Sequence, residues 1–142
     1  MRAILGPAHC GLVHLVTLGV LTQAILAGQF ISGARDQLGT HGAVGGVLEL
    51  AGLALLVIAV AHRLSGERSR LALWGSVALG LALQIQAVLG WMPGQVPTAI
   101  HVPLGVCIFA GALGLGATIG RQRRAAHAAD GRRSEIVGTP LE

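Results

Sequence analysis

HGAVGGVLELAGLALLVIAVAH, residues 41–62, carries one charged side chain, Glu49, between its two bounding histidines. About 20 apolar residues of helix cross the hydrocarbon core of a bilayer, so this run is long enough to span. Three further runs of similar character lie at about 11–31, 71–91 and 98–120. In lipid each backbone polar group must be satisfied within the protein, which leaves helices as the form for spans of this length. The expected fold is all-α, a transmembrane four-helix bundle.

Composition agrees. The chain has 142 residues, of which 53% are hydrophobic and 11% charged, and its mean hydropathy is +0.70. That is too apolar for an ordinary water-soluble domain. One four-helix domain is expected over residues 1–120, followed by a polar tail over 121–142 that loses order past its first turn. The net charge of +4 comes from ten basic residues, all arginines outside the apolar runs, so it reports topology and not nucleic-acid binding. Arg2, Arg63, Arg68, Arg70 and five tail arginines fall on one side and Arg35 on the other. By the positive-inside rule, this multi-pass protein of the inner (plasma) membrane has both termini in the cytoplasm. The first run is too long for the core of a signal peptide and reads as an uncleaved helix. Cys10 and Cys107 lack the spacing of a redox or zinc motif and read as small packing residues.

Two histidine motifs stand out. His41 opens the second span and His101, in Ile100-His101-Val102-Pro103-Leu104-Gly105, opens the fourth. Each histidine falls in the first turn of its expected helix, and a glycine, Gly45 or Gly105, follows four residues later on the same face. A ligand with a cleared surface one turn away suits a flat macrocycle. With both histidines at one depth on parallel helices, the expectation is a haem b iron held by His41 and His101, with Gly45 and Gly105 beside the cofactor and Arg35 placed to pair with its propionates.

A short repeat supports this pairing. Gln23-Ala24-Ile25-Leu26-Ala27-Gly28 matches Gln86-Ala87-Val88-Leu89-Gly90-Trp91, and these segments precede the two histidines by 18 and 15 residues. Each half then reads as one helical hairpin, and two copies are related by a twofold axis along the membrane normal. His14 and His62 form a second pair, which would hold another haem at the cytoplasmic side. His62, beside Arg63 at a helix end, is equally suited to water and headgroups. His9 and His127 lie outside the expected spans. Glu49 is a membrane carboxylate that needs a partner, either in proton movement or through a hydrogen bond to Gln23, Thr22 or a helix-three glutamine. Gln84 and Gln86 point to different faces, so one of them meets a central site.

The segment Leu83-Gln84-Ile85-Gln86-Ala87-Val88-Leu89-Gly90-Trp91, a Pro-containing turn and Ile100-His101-Val102-Pro103-Leu104-Gly105 together resemble the helix pairs of haem A synthase. That family has two four-helix halves with histidines at the outer start of the second and fourth helices, and the present chain is similar to one half. It also resembles small four-span bacterial membrane proteins of unknown function. Where the family has a glutamate three residues before its histidine and an arginine just after, this chain has Leu38 and Gly42. The resemblance therefore implies the fold and a haem b site, without the synthase activity.

The functional expectation is a small cytochrome b-type protein that transfers single electrons or senses haem, alone, as a homo-oligomer or with a redox partner. A cofactor-free transporter using Glu49, or an accessory subunit of a larger membrane complex, is the alternative.

Overall fold

The computed structural model describes residues 2–65 and 69–137. It is built from four helices: α1 (Arg2–Ile31), α2 (Gln37–Leu64), α3 (Arg70–Trp91) and α4 (Gln95–Val137). All four are long and apolar enough to cross a membrane. Each packs on its sequence neighbour and α4 closes on α1, while the backbones of the diagonal pairs α1/α3 and α2/α4 stay apart. Short connections force consecutive helices to run antiparallel, so α2 and α4 share a direction. Both hairpin turns contain a glycine at positive φ, Gly33 at 108° and Gly94 at 120°, a backbone region that L side chains rarely adopt.

The helices exceed their expected bounds. α1 begins before Pro7, and α2 starts at Gln37, which sets His41 a full turn inside the helix. Three helical residues precede Thr98, since α4 starts at Gln95, and His101 likewise lies further inside its helix. The tail expected to lose order is helical to Val137. Its first part, Arg121 to Ala129, is Ala- and Arg-rich with no glycine or proline, a composition of strong helix formers that propagates the preceding span. Of the basic connection between α2 and α3, Arg68 lies outside the described residues.

The two hairpins are copies of one plan. Sixty positions apart, residues 41–50 and 101–110 have the same order of buried, half-buried and exposed side chains, position by position. Further along, Leu48, Gly52, Leu55 and Ala59 of α2 are buried, as are their counterparts Ile108, Ala112, Leu115 and Ile119 of α4. His9, Val13, Val16, Thr17 and Val20 of α1 correspond, sixty-three positions on, to the buried Ala72, Ser76, Leu79, Gly80 and Leu83 of α3. Outward, Leu18, Leu50, Val57 and Val106 are exposed. With no hydrophobic drive between helices in lipid, association depends on close packing and interhelical hydrogen bonds. At the α2/α3 interface a Cβ on Gly80 would lie 2.9 Å from the Gly52 carbonyl oxygen. Only glycine allows that approach.

Candidate functional site

At the end of the bundle that carries Arg35, His41 and His101 reach inward from the diagonal helices α2 and α4. Their ring centres are 6.3 Å apart and their planes tilted by 51°. Each histidine is held through its backbone by the glutamine that the repeat singled out. Gln23 Nε2 donates to the His41 carbonyl at 2.9 Å, and Gln86 Nε2 donates to the His101 carbonyl at 3.0 Å. The glycines make these contacts possible. A Cβ on Gly45 would stand 3.0 Å from Gln23 Nε2, and one on Gly105 would stand 3.2 Å from Gln86 Nε2. The cleared surface expected to receive a macrocycle is thus occupied here by a glutamine amide, in both halves.

The two rings are not equally fixed. His101 Nδ1 is 3.1 Å from the Gln86 carbonyl oxygen; only a protonated Nδ1 can donate there, which leaves Nε2 with its lone pair. Such a bond from the distal nitrogen is how metal-bound histidines are commonly oriented. His41 Nδ1 is buried without a partner. Gly90, one turn beyond Gln86, gives the His101 ring its space: a Cβ there would come within 3.2 Å of Cε1. Spacing alone could have flagged Gly90, which shares the face of Gln86.

Arg35 is exposed and lines an open cavity of about 500 Å³ with Phe30, Ile31, Gly33 and Leu38. It shares the end of the bundle with the histidines without lining the same space. Glu49 makes no side-chain hydrogen bond among the described residues. Its backbone carbonyl, rather than its carboxylate, accepts from Gln84 Nε2 at 2.9 Å. Gln86 is the helix-three glutamine that meets the histidines, and Gln84 serves the α2 backbone.

At the arginine-rich end the expected pair is replaced by another. His14 is exposed and sits against α4, its Cε1 3.5 Å from where a Cβ on Gly116 would be. His9, 2% exposed, is the residue that meets His62, with ring centres 5.1 Å apart. The reason is helical phase. His9, Val13, Val16 and Val20 form one inward stripe, and His14 lies off it. Reading the span as starting at Gly11 hid this stripe.

Among the described residues four buried side-chain polar atoms lack a partner: Gln23 Oε1, His41 Nδ1, Gln86 Oε1 and His62 Nε2. All belong to these two histidine clusters. Buried polar groups are ordinarily satisfied, so these two clusters are the exceptions among the described residues.

The donor set at the Arg35 end suits an iron. Two metal–nitrogen bonds of about 2 Å and the radius of each imidazole place ring centres about 6 Å apart across one metal. Among the described residues no three His, Cys, Asp or Glu side chains gather. Two protein ligands complete a six-coordinate iron when a macrocycle supplies the other four nitrogens. A macrocycle there would have to fit beside the Gln23 and Gln86 amides that hold the histidine carbonyls. No protein family, curated protein or solved structure matches the chain.

Proposed function

We propose that this chain is a small membrane cytochrome of the b type, with His41 and His101 as axial ligands of one haem b. The observation that carries the reading is the meeting of two imidazoles from diagonal helices at 6.3 Å, in a cluster that holds three unpartnered buried polar atoms. Held by His41 and His101, the haem would supply a one-electron ferric/ferrous couple, which suits electron transfer.

The chain's residues prepare that site. The Gln86 carbonyl accepts a hydrogen bond from the Nδ1–H of His101, so Nε2 is held as a lone-pair donor and its basicity rises. Gln23 and Gln86 fasten the backbone at both histidines and set them at one height. Leu48 and Ile108, two turns deeper, are buried and keep water from following. Arg35, at the same end, is the charge available to haem propionates.

The arginine distribution supports an orientation with the arginine-rich end in the cytoplasm, and the haem would then lie near the outer face of the plasma membrane. The likeness to one half of haem A synthase supports the scaffold and the ligands. It does not extend to the synthase reaction, because Leu38 offers no carboxylate.

Protein purified from haem-replete cells is expected to be red, with a Soret band and a sharp α band on reduction. Colourless protein overturns the reading. Orientation is tested separately: in a background lacking Cys10 and Cys107, Gly94→Cys should react with an impermeant thiol reagent added to intact cells. Labelling only after lysis reverses the topology.

A further inference from the structure

We propose that His9 and His62 form a second site, separate from the first, that takes one divalent cation of the zinc class at the arginine-rich end. The bundle does not need these histidines in order to pack. In the other half of the repeat the place of His9 is taken by buried Ala72, and that of His62 by exposed Gln122. One half of the molecule therefore carries a buried polar pair that the other half does without. Burying such groups is unfavourable unless something satisfies them.

The hydrogen bonds around the pair prepare it for a metal. Ser76 Oγ donates to the Ala72 carbonyl at 2.8 Å, and it lies 2.7 Å from His9 Nε2. A serine hydroxyl has one proton, so Ser76 accepts from a protonated His9 Nε2, which leaves Nδ1 with the lone pair. His62 is 7% exposed and its Nε2 has no partner. Two neutral imidazoles, one oriented by a distal hydrogen bond, are a common half of a metal site.

The separation selects the class of ligand. Imidazoles on adjacent corners of a tetrahedral centre have ring centres about 5 Å apart, whereas opposite axial positions require about 6 Å. His9 and His62 are at 5.1 Å and lie on neighbouring helices, so they fit a small tetrahedral cation and not the axial positions of a second haem. With two protein ligands the remaining corners would be open to water or to a ligand delivered from solution. α2 ends two residues past His62, which keeps that side near water.

The test uses full-length His41→Ala/His101→Ala protein in detergent, so that the first site contributes no imidazole, and titrates Zn²⁺ against a chromophoric chelator. One equivalent should bind, and X-ray absorption should show two imidazole ligands. His9→Gln and His62→Gln should each weaken binding at least tenfold. Ser76→Ala should weaken it several-fold, and His14→Ala and His127→Ala should leave it unchanged. Absence of stoichiometric Zn²⁺ binding, a spectrum without imidazole scattering, or unchanged affinity in folded His9→Gln protein overturns the proposal. So does a haem carried by protein with His41 and His101 intact that is lost when His9→Gln is added to it. A colourless wild-type protein that binds Zn²⁺ in this way would defeat the cytochrome reading and leave this one standing.

Discussion

His41 and His101 meet across the diagonal of the bundle at 6.3 Å, whereas His9 and His62 meet across a single helix interface at 5.1 Å. The first pair is a product of the repeat. One hairpin with a histidine, a glycine four residues on and a glutamine to hold the carbonyl, used twice around an axis, places two equivalent imidazoles opposite each other. The second pair departs from the repeat, since only the first hairpin carries it. Symmetric duplication gives a site suited to a ligand with two equivalent faces. A substitution confined to one half gives a lopsided site, whose hydrogen-bonding partner, Ser76, must come from the other hairpin.

The largest effect that separates the two pairs is expected from the histidines themselves. His41→Ala/His101→Ala protein should contain no haem, while His9→Gln and His62→Gln should keep the full low-spin spectrum. Within the first pair the single variants should differ. If the proposed haem is bound, His101, oriented by its Nδ1 bond, would hold it alone, so His41→Ala should retain a high-spin, five-coordinate haem. His101→Ala leaves the unanchored His41 and should lose most of the cofactor. The check is haem content per chain together with the spin state; equal loss in the two single variants would show that the Gln86 bond does not matter to the bound form.

Next in size is steric pressure on the same ring. Gly90→Val adds a branched side chain where a Cβ already comes within 3.2 Å of His101 Cε1, so haem content should drop sharply. Gly45→Leu and Gly105→Leu act less directly, since they dislodge a glutamine amide rather than the imidazole. Their haem content should fall several-fold with smaller changes in yield. A drop in Gly45→Leu equal to that in Gly90→Val would mean that the glycine faces the macrocycle after all.

The spans, their up-down order and the first histidine pair could be read from the chain because lipid reduces the problem to the length and charge of apolar runs. The repeat Gln23/Gln86 could also be read, although its use could not. A glutamine in a membrane helix announces a hydrogen bond, but which carbonyl it reaches depends on how closely the backbones approach, and that closeness is set by Gly45 and Gly105. The second pair was hidden for a different reason. Apolar periodicity is weak in a helix that is hydrophobic on all faces, so the lipid-facing and inward sides of α1 look alike. Choosing between His9 and His14, five residues apart, requires the helical phase, which Val13 and Val16 reveal only once their burial is known. The helical continuation past Gly120 is not legible from polarity, because Ala and Arg favour helix as well as water.

The smallest expected effect is the sharpest test of the twofold plan. Gln23→Ala and Gln86→Ala each remove one side-chain to backbone hydrogen bond at equivalent places, and bonds of this kind between membrane helices contribute about 1 kcal/mol. The two variants should therefore lose similar stability, read as equal shifts in the midpoint of denaturant-induced unfolding in mixed micelles. Gln84→Ala removes a bond of the same type, to the Glu49 carbonyl, at a place where the other half has Leu21 and no counterpart. It should cost a similar amount of stability and leave haem content untouched, while Gln23→Ala and Gln86→Ala should lower both, because only they hold the backbone at a proposed ligand. If Gln84→Ala lowers haem content as much as they do, the glutamines act through general loosening of the bundle. The equivalence of the two halves would then be a matter of packing alone.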